Sequence, residues 1–229
     1  MSIKSKALAA AATLALAGGF SMMGASSANA ATPQCGNGCV EIFSRLFGTS
    51  THPNFVETVS HGVAKIGQPL ILSRAGSSNP AQDLLPLMAG LVSDFFTAGL
   101  LSADVNRHYG NLRATQIEYA PFGVASGLCV GLATTAFQGE GLTLQRCSVS
   151  AKTVWIVDTA DSPKTAAEGF FPLVNGSTTD FCHPFAMTYP RHAYPTHKPA
   201  AQIRVRHLVN NPTHVPDRQL WGTAFGVLN

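Results

Sequence analysis

Asp104, Asn106, Arg107, His108 and Tyr109 form the densest polar cluster of the chain. A carboxylate, an amide, a guanidinium, an imidazole and a phenol supply both donors and acceptors, the inventory a ligand site draws on. They are the first place to look for a binding site. Eight histidines are the other invitation to chemistry. His183, His192 and His197 lie close together in sequence, but Tyr189 to Pro199 holds three prolines and reads as a loop. With no helix or strand to fix ligand geometry, these side chains predict solvated surface and no metal. Glu118 and Asp158 have the residue types of a glycosidase pair, yet nothing in the sequence sets their separation. No Gly-x-Ser-x-Gly elbow and no His-Glu-x-x-His helix occur. Gly36-Asn37-Gly38 is followed by neither a third glycine nor a helical pattern, so phosphate binding is not supported. The chain reads as a non-enzyme without a cofactor.

The cysteines number five, an odd count. Cys35 and Cys39 flank two glycines and can close a tight loop. The apolar run Leu128-Cys129-Val130 and the alternating run Leu142 to Cys147 predict two strands joined by a Gly-containing link and stapled by Cys129–Cys147. Trp155 is expected to pack beneath them.

Residues 1–30 read as a secretory signal peptide. Lys4 and Lys6 precede the apolar run Ala7 to Phe20, and Ala28-Asn29-Ala30 supplies the small-x-small cleavage pattern. Export follows as the expectation, with all five cysteines in the mature part, where disulfides persist. Removing those two lysines from the 15 basic residues leaves 13 against 12 acidic ones. A nearly neutral chain with scattered cations argues against nucleic-acid or anionic-membrane partners. Low charge with plentiful glycine and proline suits short strands and tight turns. The expected division is a 31–53 N-terminal extension and a 54–229 domain.

Gly67 to Ala75 and Gly139 to Cys147 share glycine, two leucines and arginine at equal offsets. A looser third copy, Ala200 to Leu208, puts Ile203 and Val205 in the leucine positions. Val56, Ile117 and Phe170 each begin an apolar run that meets a glycine six positions on, at Gly62, Gly123 and Gly176. Six further, Cys129 and Cys182 coincide. The copies close on Leu84, Trp155 and Trp221. Fixed order in triplicate is the signature of a repeat architecture. Leu72, Leu144 and Val205 become equivalent inward-pointing core residues, and Cys182 becomes a free buried thiol lacking a partner.

These copies, with Gln82-Asp83-Leu84, Thr153-Val154-Trp155 and Gln219-Leu220-Trp221 at their ends, resemble the ricin-type β-trefoil lectin family. The resemblance implies an all-β β-trefoil and places both tryptophans in the core. It also implies carbohydrate binding, on extracellular or cell-wall glycans. The family's aspartate, two residues after the first cysteine, accepts hydrogen bonds from sugar hydroxyls; Gly131 and Pro184 stand there by this alignment. A second function class is an interaction protein, such as a hydrolase inhibitor, presenting the surplus segments Leu85–Arg113 or Tyr189–Pro199. Asp94 to Leu101, strongly apolar, reads as a core strand. Asn175-Gly176-Ser177 matches a glycosylation sequon but reads more simply as a hairpin turn.

Overall fold

A computed structural model of the chain describes residues 38–49, 52–53, 55–76, 79–148, 150–190, 201–209 and 214–225. Residues 1–30, Cys35, His192 and His197 lie outside them. A 12-stranded sheet carries the fold. Its strands are β1 (Val40–Ser44), β2 (Phe55–Val59), β3 (Leu70–Arg74) and β4 (Leu84–Leu91), then β5 (Arg113–Tyr119), β6 (Leu128–Gly131), β7 (Thr143–Arg146) and β8 (Val154–Val157). The last four are β9 (Leu173–Asn175), β10 (Phe185–Thr188), β11 (Arg204–His207) and β12 (Trp221–Phe225).

Six strands close a barrel. β1 meets β4 at Val40↔Leu84, β4 pairs β5, β5 pairs β8 and β8 pairs β9. The Phe171↔Trp221 bridge joins the approach to β9 to β12, and β12 pairs back on β1. Three hairpins, β2–β3, β6–β7 and β10–β11, leave the barrel at Phe43↔Val56, Glu118↔Cys129 and Val174↔Ala186. Their inner ends meet in a ring of backbone hydrogen bonds. Leu70 donates to the Leu142 carbonyl at 3.0 Å, Leu142 to Ile203 at 2.8 Å, and Ile203 to Leu70 at 2.9 Å. The three bridges Pro69↔Thr143, Gly141↔Arg204 and Ile71↔Gln202 repeat the same relation. Leu72, Leu144 and Val205 sit one pleat further on, all fully buried, and line one core. This is pseudo-threefold symmetry at the level of single backbone bonds.

The closing motifs work alike where the residues survive. Trp155 Nε1 donates to the Val130 carbonyl at 2.9 Å and Trp221 Nε1 to Met187 at 2.8 Å. Gln219 Nε2 donates to the His207 carbonyl and its Oε1 accepts from Val209 N; Gln82 makes the same pair with Arg74 and Gly76. In the middle copy Thr153 is too short to do this. Gln116, from β5, instead donates to both Ser148 O and Thr153 Oγ1. Cys129 and Cys147 form a disulfide across β6–β7. Closing that loop stabilises the fold by roughly 3 kcal/mol on chain-entropy grounds.

The registers correct the sequence-based alignment. Val56 lies in β2 and is equivalent to Cys129 and Ala186, whereas Ile117 lies in β5, a barrel strand. The first copy therefore begins at Val40, and residues 40–44, expected in an extension before a domain at 54, are a strand of the sheet. Ala186, not Cys182, takes the place of Cys129. Cys182 is unpaired but exposed, in a bend four residues earlier whose Cys182 and His183 N–H groups bond to Asp180. The same shift moves the family's aspartate position from Pro184 to Thr188. The expected strand at Asp94 to Leu101 is instead a helix, α1 (Val92–Thr97), with Asp94 accepting from Leu91 N to cap it. Phe95, Leu100 and Leu101 are buried against a second apolar cluster. A second helix, α2 (Ala103–Tyr109), follows. Asn175 is fully buried, with Nδ2 on the Lys152 carbonyl and Oδ1 taking Ser177 N, so the turn reading holds and the sequon reading does not.

One core position breaks the apolar pattern. Glu57 opposes Leu72 as Val130 opposes Leu144 and Met187 opposes Val205. It is 1% exposed, and neither carboxyl oxygen has a hydrogen-bond partner. Burial pushes its pKa up from 4.5 to about 8, because an unpaired carboxylate loses its hydration there. Folding takes up a proton at this site. The contribution to stability is intact below about pH 4.5 and falls as pH rises through about 8. Between about pH 5 and about pH 8 the protein is expected to lose about 3 kcal/mol through this group. Glu57→Met, which copies position 187, should flatten that slope and raise the urea midpoint at about pH 8. Equal pH slopes in the two proteins would disprove a buried, protonated Glu57.

Candidate functional site

The segment between β4 and β5 folds as α1 and α2 and builds one wall of a cavity of about 520 Å³. Ser102 caps α2 by accepting from Val105 N at 3.2 Å. Val105 and Tyr109 then bury one face, which turns Asn106, Arg107 and His108 toward the cavity with the Tyr109 edge behind them. The opposite wall is the loop after β8, carrying Asp158 and Asp161, and the bend before β10, carrying Phe181 and Cys182.

The His108 and Phe181 rings stack at 4.2 Å and 8°, making one flat slab. Asp158 is 1% exposed, and its Oδ1 accepts from Ala160 N at 3.1 Å and Asp161 N at 3.2 Å. Its pKa is raised to about 6, first by burial and then by the Asp161 charge, against the pull of those two N–H groups. Burial, and after it the charges of Asp158, Asp161 and Asp180, holds the Tyr109 phenol protonated far above its ordinary range. Asn106 Oδ1 is buried without a hydrogen-bond partner.

Of the five residues picked from the sequence, Asn106, Arg107, His108 and Tyr109 line the cavity. Asp104 does not; it pairs with Arg107 at 3.0 Å on the open surface. Sequence reasoning missed Asp161 and Phe181, and it placed Asp158 in a pair with Glu118. Glu118 instead accepts from Gly127 N at 2.6 Å and holds the turn into β6, away from the cavity lining. The signal for the other wall was Asp158-Thr-Ala-Asp161, a carboxylate accepting N–H groups two and three residues on.

His183 and His207 each approach Asp180 Oδ2, at 3.7 and 3.9 Å, and hydrogen bonding to the His183 N–H leads in holding that carboxyl below its usual range. Among the described residues no three histidine, cysteine or acidic side chains converge to hold a metal ion. The positions of the family's sugar-binding aspartate are occupied by Thr58, Gly131 and Thr188. A Cβ on Gly131 would stand 2.8 Å from the Lys152 carbonyl, so no carboxylate fits there. Thr188 is buried and bonded to Ala186 O and Gln219. Thr58 faces Ser73 at 2.7 Å.

No protein-family model matches the chain, and no curated protein matches it. Solved structures do. A designed 3-fold symmetric protein, ThreeFoil, superposes with a TM-score of 0.52 at 14% identity, covering 82% of this chain and 98% of that one. The Rhizoctonia solani agglutinin gives 0.48 at 14% identity, over 88% and 99% of the two chains. An agglutinin from Abrus precatorius gives 0.41 at 15% identity, over 82% and 48%. Together with the ring of backbone bonds, the first of these defines the class: the chain is a β-trefoil.

The cavity's acid pair yields a titration. A carbonyl-region NMR titration of Asp158 should show a midpoint near 6, and Asp161→Asn should move it toward the ordinary aspartate range. Since the folded value lies above the unfolded one, this group favours folding most at acid pH and less as pH rises through about 6. An Asp158 midpoint already in the ordinary range would remove the shared acid site.

Proposed function

We propose that this protein is a secreted, non-catalytic carbohydrate-binding protein of lectin type, acting on extracellular or cell-wall glycans through the insert cavity. The observation that carries the reading is the cavity itself, whose lining combines the His108–Phe181 stack with the carboxylates of Asp158 and Asp161. Sugar rings pack an apolar face on such a slab while their hydroxyls donate to fixed acceptors. The lectin-type positions Thr58, Gly131 and Thr188 contribute no carboxylate, so binding moves to the segment between β4 and β5. Export rests on the sequence of residues 1–30, and it agrees with the Cys129–Cys147 disulfide. Among the described residues no helix is long and apolar enough to cross a membrane.

A second reading, an interaction protein such as a hydrolase inhibitor, is favoured by Leu87, Met88, Leu91 and Phe96. The first three are exposed on β4 and Phe96 on α1, next to the cavity insert. One experiment separates the two. A glycan array and a polysaccharide pull-down should give binding that Phe181→Ala weakens at least about tenfold, a loss of about 1.4 kcal/mol, while a panel of secreted proteases and glycosidases stays uninhibited. No retention on any glycan, or retention indifferent to Phe181→Ala, would reject the cavity as a lectin site; inhibition of a panel enzyme would support the second reading.

A further inference from the structure

The polar atoms lining the cavity are unevenly matched. Asp158 and Asp161 offer carboxylate oxygens in the lining. Each cationic side chain in the lining already has a neighbour. Arg107 stands 72% exposed and is held by Asp104, and His108 is flattened against Phe181. Asp180 adds a third carboxylate acting on the same tyrosine, Tyr109, as Asp158 and Asp161. A neutral sugar hydroxyl both donates and accepts, so it uses only half of its capacity against such a wall. An ammonium group is donor-only, with three N–H bonds and a full charge, and it complements acceptors alone.

We propose that the ligand of the cavity is an amino sugar, of the class of β-linked glucosamine oligomers, with its free ammonium against Asp158 and Asp161 and its ring face on the His108–Phe181 slab. This rests on the carbohydrate reading and narrows it. The cation relieves the repulsion of two carboxylates that share one poorly hydrated site. Burial and then the Asp161 charge raise the Asp158 pKa to about 6, so an uncompensated carboxylate is disfavoured there. The aromatic slab adds attraction for a cation at its face as well as for the ring. N-acetylation of the same sugar removes the charge and two of the three N–H donors while preserving the ring. It is therefore the controlled comparison.

Isothermal titration of the purified protein with a glucosamine oligomer, its fully N-acetylated counterpart and a glucose oligomer of equal length tests the idea. The amine form is expected to bind at least about tenfold more tightly than the acetylated form, and added salt should erode that ratio. Asp161→Asn should bring the ratio close to one, and so should Asp158→Asn. Asp161 is the safer variant, since Asp158 also holds backbone N–H groups, and near-ultraviolet circular dichroism checks that each variant is folded. Equal or tighter binding of the acetylated or glucose oligomer overturns the amine proposal and leaves the carbohydrate reading standing. Failure of every oligomer to bind, with a folded protein, overturns both. Equally tight binding of a simple polyamine overturns the sugar part of the proposal.

Discussion

The ring of three hydrogen bonds among Leu70, Leu142 and Ile203 is the constraint from which the rest follows. Each donates to the next and accepts from the previous one, so none of the three hairpins can satisfy its inner end by itself. A buried backbone N–H or carbonyl left unpaired costs about as much as a lost hydrogen bond, and often more. Six such groups are paired here only when all three copies are present in one register. The leucine-type residues one pleat beyond are placed by that register, and the closing tryptophans pack behind them. Symmetry is thus a bonding requirement and not merely a resemblance among copies.

The parts that obey this requirement were legible in the sequence. Leu72, Leu144 and Val205 repeat because each faces the same axis, and period-two alternation exposes them. Trp155 and Trp221 are visible because a large indole must reach one specific carbonyl. The first copy was harder to read. Its opening strand, Val40–Ser44, is buried at every position and shows no alternation, so the pattern was pinned one strand too late, at Val56. That offset set the expected domain start at 54, and a separate four-residue slip in the third copy matched Cys129 with Cys182 in place of Ala186. Local spacing is preserved across such an error, which is why the alignment looked coherent. The helices of the insert failed for a different reason. An apolar run of eight residues suits a strand or a buried helix equally, and the Asp94 cap decides it through one side-chain bond.

Half of the candidate site was legible for a related reason. Asn106 to Tyr109 fall on one short helix and announce themselves as a cluster. Asp158, Asp161 and Phe181 reach the same cavity from two distant loops, and nothing in sequence spacing links them. The two-helix insert between β4 and β5 also differs from its counterpart between β8 and β9, where Asp158 and Asp161 precede a single short helix, Pro163–Ala167. The copies carry the fold: Gly131 is closed by the Lys152 carbonyl, and Thr188 serves Gln219. An insertion is then free to vary its side chains without disturbing the barrel bonds.

The pairing of β12 with β1 over Val40↔Phe225 to Ser44↔Trp221 joins nearly the first described residue to the last. Until β12 is in place, β1 lacks a neighbour along one edge and the barrel remains open. Contacts of such sequence separation also form late, because the intervening loop must be closed before they are rewarded.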